Sequence, residues 1–134
     1  MRKLTDISKL LTITFFLFLL LIVRTNAQES NETIIDDARG YFFEGLKEKY
    51  KENYAAAASN FERYLKHYPK DDAALYELSN AQFKIKNLIN AEINVTKAIT
   101  LNRSNVWYYK LKAEILNAES NISQLIVVYD QLIR

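Results

Sequence analysis

The chain is predicted to be all-α, a solenoid of antiparallel helix hairpins in about three repeats of 34 residues. Three observations predict this. The first is an echo of period 34 that runs without a gap from Tyr41 to Ile133. Tyr41, Leu75 and Tyr109 keep the step, as do Gly45, Ser79 and Ala113. So do Asn53, Asn87 and Asn121, then Tyr54, Leu88 and Ile122. Further columns are Ala57, Ala91 and Leu125; Phe61, Val95 and Tyr129; Tyr64, Ala98 and Leu132; and Leu65, Ile99 and Ile133. A fixed period of this length marks units that cannot bury their apolar faces alone and stack on one another. The second is composition: 134 residues include only two glycines and one proline, which disfavours a turn-rich β fold. The third is that apolar residues inside each unit recur at helical spacing.

The elements follow in order. Residues 1–27 read as an export signal. Arg2, Lys3 and Lys9 form a positive start, Leu10 to Val23 is an apolar or hydroxyl run, and Ala27 closes a short polar stretch before Gln28. The run is short for a permanent spanning helix, which needs about 20 apolar residues. Residues 28–37 form a linker and the start of the first helix. Repeats are expected at 38–71, 72–105 and 106–134, the third truncated, with helices near 36–51, 54–68, 71–85, 88–101, 104–118 and 121–133.

In the first unit Phe42, Leu46 and Tyr50 share a helical stripe, and Ala57, Phe61, Tyr64, Leu65 and Tyr68 share the next. In the second, Leu75, Leu78 and Phe83 precede Leu88, Ala91, Val95, Ala98 and Ile99. In the third, Trp107, Tyr108, Leu111, Ile115 and Leu116 precede Ile122, Leu125, Val128, Tyr129 and Leu132. Asn53, Asn87 and Asn121 fall between the helices of each unit, where asparagine can take the left-handed conformation that ends one helix or cap the next. Pro69 stops the first hairpin, and Asp71 and Asp72 suit the positive start of the next helix. Ser104 is expected to cap the fifth helix.

These residues resemble the tetratricopeptide repeat, a helix–turn–helix unit of 34 residues. The resemblance covers roughly 38–134. It rests on Tyr41, Gly45, Ala57, Phe61 and Pro69 in the first unit, Leu75, Ser79, Ala91, Val95 and Ala98 in the second, and Tyr109, Ala113 and Tyr129 in the third. It departs at Glu44 and Lys112, where the family prefers leucine, at Arg103 in place of proline, and at Leu125 and Leu132 in place of small residues. The resemblance implies a right-handed solenoid whose first helices line a concave groove that binds a protein or peptide. The partner-binding residues it implies are Phe42, Leu46, Tyr50, Tyr76, Asn80, Phe83, Trp107 and Lys110, with Glu77, Leu111, Glu114 and Asn117 beside them. Family members that grip chaperone C-termini clamp carboxylates with lysine, arginine and asparagine. Here Phe42 and Leu46 occupy positions that clamp needs and Glu77 opposes an anion, so an aromatic groove is expected instead.

Other functions find little support. The chain has no cysteine, hence no disulfide, thiolate metal site or cysteine nucleophile. A lone His67 cannot build a zinc or iron site and suits a helix end. No glycine-rich phosphate loop or nucleophile elbow occurs, and neither a cofactor nor a metal is expected. The whole chain carries 18 basic and 16 acidic residues, but four basic and one acidic fall in residues 1–27, leaving 14 against 15. There is no basic field for nucleic acid. Four Asn-x-Ser/Thr sites, at Asn31, Asn94, Asn102 and Asn121, match the glycosylation acceptor pattern, as an asparagine-rich sequence often does.

The expected function is therefore an exported scaffold for protein–protein interaction, periplasmic or secreted, and not an enzyme. The alternative is the exported sensory or targeting end of a larger signalling protein or enzyme. Membrane attachment is expected only through the N-terminal segment, if uncleaved. The last hairpin is apolar on more than one side, since Ile122, Leu125, Ile126, Val127, Val128, Tyr129, Leu132 and Ile133 cannot all face inward. It is expected to need a cover: a second copy, a partner or a continuation of the chain. Cleavage is predicted between Ala27 and Gln28. Mass spectrometry of the exported protein checks it, and a chain still carrying Met1 to Ala27 would refute the signal reading.

Overall fold

A computed structural model of the chain describes residues 14–20 and 38–133. Residues 14–20 are helical, within a first compact unit, Met1–Asp37. The rest of the segment read from the sequence as an export signal, and the expected linker, lie outside the described residues. Among the described residues no helix is long and apolar enough to cross a membrane. The second unit, Ala38–Arg134, carries the repeats.

In that unit α1 spans 38–50. It is followed by α2 (Tyr54–His67), α3 (Asp72–Lys84), α4 (Leu88–Leu101), α5 (Val106–Ala118) and α6 (Ile122–Ile133). Each helix packs on the next, and α3 also meets α5. This is the expected order of three hairpins, with ends within about two residues of those read from the sequence.

The turn inside each hairpin repeats in atomic detail and corrects one expectation. The left-handed residues are Glu52 (φ 61°), Lys86 (φ 64°) and Ser120 (φ 57°), not the asparagines that follow them. In each case the left-handed residue donates its N–H three residues back, to Lys49, Phe83 or Asn117, at 2.9–3.1 Å. The asparagine N–H reaches five residues back, to Glu48, Gln82 or Leu116, at 2.9 Å. This pair of bonds is the Schellman motif, which satisfies carbonyls that a helix end leaves without partners. The asparagine backbone then starts the next helix: its carbonyl accepts from Ala57, Ala91 or Leu125. A side chain at φ near +60° costs roughly 1 kcal/mol relative to glycine, so this chain keeps its period at some expense in stability.

A second correction concerns α5. Its cap is Asn105, whose side chain accepts from the Trp107 N–H at 3.1 Å. Ser104 instead donates to Asn102 Oδ1. At α3 the expectation holds: Asp71 accepts from the Ala74 N–H at 3.0 Å.

Packing explains the small column at Gly45, Ser79 and Ala113, where the two helices of a hairpin come closest. A Cβ added to Gly45 would stand 2.6 Å from Phe61 Cε1 and 2.8 Å from Cδ1. Phe61 is fully buried and cannot withdraw. Ser79 is also fully buried, and its hydroxyl donates to the Ala91 carbonyl at 2.7 Å. Ala113 clusters with Leu116 and Val128. Around these contacts the core runs in patches. One joins Ala57, Ala58 and Phe61 to Leu78 and Ala81. Another joins Leu75, Ala91, Val95 and Ala98 to Tyr108, Leu111 and Ile115. The third hairpin is poorer, because α6 buries only Val128.

Gly45→Ala should lower stability by about 1–2 kcal/mol through overpacking against Phe61, despite the better helix propensity of alanine. Gly40→Ala is the control, since nothing lies within 4 Å of its added Cβ; it should raise stability by up to about 1 kcal/mol. Thermal melting of the two variants checks the pair, and equal effects would remove the close approach as the reason for the small column.

Candidate functional site

The face expected to bind is built by α1, α3 and α5. The structure divides its residues into three groups. Phe42 and Leu46 are half-buried and pack on the Phe61 cluster, with the Phe42 ring 5.7 Å from Phe61 and 5.1 Å from Tyr64. Tyr76 and Phe83 are half-buried against the cluster that holds α5, and Tyr76 lies 5.1 Å from the Tyr108 ring. Phe42 packs within the first repeat, whereas Tyr76 and Phe83 help join the second repeat to the third. Leu111, placed beside the groove from the sequence, is buried core.

The second group is exposed. Tyr50 is 91% and Trp107 60% accessible. The Trp107 ring is held in place: Lys110 Nζ stands 4.4 Å from its centroid, a cation–π contact, and its backbone is tied to Asn105. Lys110 is exposed and Asn80 half-buried.

The third group sets the charge. Lys49 and Glu77 form an ion pair between α1 and α3. Both side chains are largely shielded, at 30% and 18% accessibility. Glu77 therefore does not stand as a lone anion, and Lys49 is not free to receive a carboxylate. The centre of the face is close to neutral.

Two tyrosine–aspartate bonds fix the geometry behind it. Tyr64 of α2 donates to Asp71 at 2.7 Å. Tyr108 of α5 donates to Asp72 at 2.8 Å, and Asn102 donates to the same oxygen at 3.0 Å. The paired aspartates thus do more than suit a helix dipole: they tie α2, α4 and α5 to the start of α3. Burial, then the bonded carboxylate, push both phenols up to about 12. The Tyr108 hydroxyl holds Asp72 below its ordinary value. Among the described residues no buried side-chain polar atom lacks a partner, and no group of three or more His, Cys, Asp or Glu side chains could hold a metal ion.

Sequence reading missed a groove on the other side of the sheet of helices. Two adjoining cavities of about 270 and 260 Å3 share Pro69, Leu75 and Lys97. Leu65 and Leu78 extend their floor, and Lys66 and Lys70 stand at the rim. Lys97 is 27 positions beyond Lys70, and only the stacking of hairpins brings it to the same groove as Lys66 and Lys70. Of the acceptor-pattern asparagines, Asn31 lies outside the described residues; the Asn94 amide donates to Gln82 Oε1 and that of Asn102 to Asp72, while Asn121 Oδ1 accepts from the Gln124 N–H.

No protein-family model and no curated protein matches the chain. Solved structures do. The TPR2B domain of yeast Sti1, in complex with pHsp70, superposes with a TM-score of 0.67 over 71% of this chain and 76% of that one, at 21% identity. The fold is that of a tetratricopeptide-repeat array. The first TPR of RPAP3 (Spaghetti), bound to the HSP90 peptide SRMEEVD, gives 0.67 over 72% of this chain and 76% of that one, at 20% identity. MamA from Desulfovibrio magneticus RS-1 gives 0.67 over 69% and 52%, at 16% identity. The face of α1, α3 and α5 just described is the first-helix face of that fold.

The tyrosine bonds give a pH prediction. A phenol whose pKa rises from 10.0 to about 12 on folding contributes stability that is full below pH 10 and lost as pH climbs through 12. A carboxyl held below its ordinary 3.8 contributes above that value and loses its contribution as pH falls below it. Tyr108→Phe should cost about 1 kcal/mol at neutral pH and flatten both limbs. Melting temperatures across the pH range check this, and an unchanged alkaline limb would detach Tyr108 from it.

Proposed function

We propose that this chain is an exported, non-enzymatic scaffold that grips a protein segment on the face of α1, α3 and α5, with Trp107 and Tyr50 as anchors. One observation carries the reading: Trp107 is largely exposed, yet its ring is fixed beneath Lys110. A pre-placed aromatic ring loses little freedom on binding and offers a large contact area with a polar edge, the profile of an interface anchor. The peptide complexes among the similar TPR structures support the same use of the fold. The Lys49–Glu77 pair engages the lysine between α1 and α3, which favours an apolar or aromatic segment over an acidic C-terminus. The signal-like N-terminus supports delivery across a membrane. No basic field favours nucleic acid.

Tyr76 and Phe83 are poor reporters, because they also hold α5. Trp107→Ala is the better probe. A photo-crosslinking residue placed at Trp107 should capture the partner in its native compartment, and one at Ile89, exposed on α4, should not. Trp107→Ala should weaken binding of the captured partner about tenfold with an unchanged melting temperature. Capture through position 89 alone would move the interface to the other side of the array.

A further inference from the structure

The two ends of the array differ. At the far end, a cavity of about 340 Å3 is lined by Lys110, Ala113, Glu114, Asn117, Tyr129 and Leu132. Each lies 34 positions after Tyr76, Ser79, Asn80, Phe83, Val95 or Ala98. Of these, Tyr76, Phe83, Val95 and Ala98 pack in the cluster that receives Tyr108, Leu111 and Ile115 of α5. The cavity is therefore the seat of a further helix. The outer face of α6 repeats the logic. Ile122, Ile126, Tyr129 and Ile133 are 57%, 64%, 51% and 85% accessible. They stand in the columns of Leu88, Glu92, Val95 and Ile99, and of these Val95 and Ile99 belong to the cluster on which α5 rests. An apolar stripe of this extent on a helix marks an interaction surface.

Two features identify the occupant. The opposite end of the array cannot supply it. Where α3 presents Leu78 and Ala81 to the preceding hairpin, α1 presents Glu44 and Lys47, which are exposed and paired at 3.0 Å. Burying that pair against an apolar seat costs more than it returns, so copies do not stack head to tail. The stripe on α6, however, complements itself. Its spacing of four, three and four reads the same in both directions. Two copies of α6 laid antiparallel about a two-fold axis set Ile122 against Ile133 of the other copy, and Ile126 against Tyr129. This is the seam spacing of paired helices, and a two-fold contact closes on itself. The four residues of the stripe are uncharged, and Asp130 flanks them. A helix of 12 residues offers about 18 Å of seam, at the small end of specific interfaces.

We propose that the chain forms a weak two-fold dimer through antiparallel pairing of α6, which turns one binding face into two. The absence of cysteine makes the test clean. Single-cysteine chains Ile122→Cys and Ile133→Cys, mixed and oxidised, should form the mixed covalent dimer, while either chain alone should form little. Sedimentation of the full chain should show a monomer–dimer equilibrium in the micromolar range, and Ile126→Glu should weaken it at least about tenfold with unchanged helical circular dichroism. If that variant unfolds, the cysteine pairing decides alone. A monomer at every concentration overturns the proposal, as it would if a following helix or another protein fills the seat. So do preferred 122–122 cross-links or undefined aggregates.

Discussion

Everything in this fold depends on how closely the two helices of each hairpin approach at Gly45, Ser79 and Ala113. At Gly45 there is no space for a methyl group, because the buried Phe61 ring fills it. At Ser79 the approach is close enough for the hydroxyl to reach the Ala91 carbonyl. A hairpin closed this tightly presents a flat, ridged surface. That surface is what lets the next hairpin seat its own helix, as Leu78 and Ala81 do over Phe61. Larger residues in the column would splay the pair and break contact with the neighbours on both sides, since each unit of a solenoid touches only those.

Hairpin closure also sets the turns. Three residues with side chains, Glu52, Lys86 and Ser120, sit in the left-handed region, where glycine would be easier. The chain accepts that local strain because the Schellman bonds and the following asparagine return the backbone at the required angle. Between hairpins, polar bonds do what apolar burial does less specifically. Tyr108 and Asn102 converge on Asp72, and Asn94, Gln82 and Glu62 form a bonded line across α4, α3 and α2. Fully satisfied polar links of this kind specify register. They hold the first helices at fixed offsets.

Function in such an array belongs to residues that the stacking does not use. Phe42 and Leu46 pack on the Phe61 cluster, and Tyr76 and Phe83 serve as joints between the second and third units. Trp107 and Tyr50 are left over, and Lys110 keeps the Trp107 ring in place. On α6 an entire stripe is left over, because Leu125 and Val128 already supply the inner face. The first end of the array is closed by a surface ion pair and the last by nothing comparable among the described residues.

The sequence by itself determined the architecture. A period of 34 with helical spacing inside it permits few arrangements other than stacked helix pairs, and it located all six helices of the array closely. It also indicated the small column and the aromatic first helices. Tertiary structure decided what periodicity cannot carry. Which residue of each turn is left-handed depends on where the helix hydrogen bonds stop, and that fell one place before the asparagines. Whether an aromatic ring is joint or anchor depends on the neighbour that covers it: Tyr76 meets Tyr108, while Trp107 meets only a lysine edge. Asp72 gained its partners, Tyr108 and Asn102, from positions 36 and 30 residues away, distances that no local pattern encodes. Side-chain period specifies a face. Only packing specifies what stands opposite it.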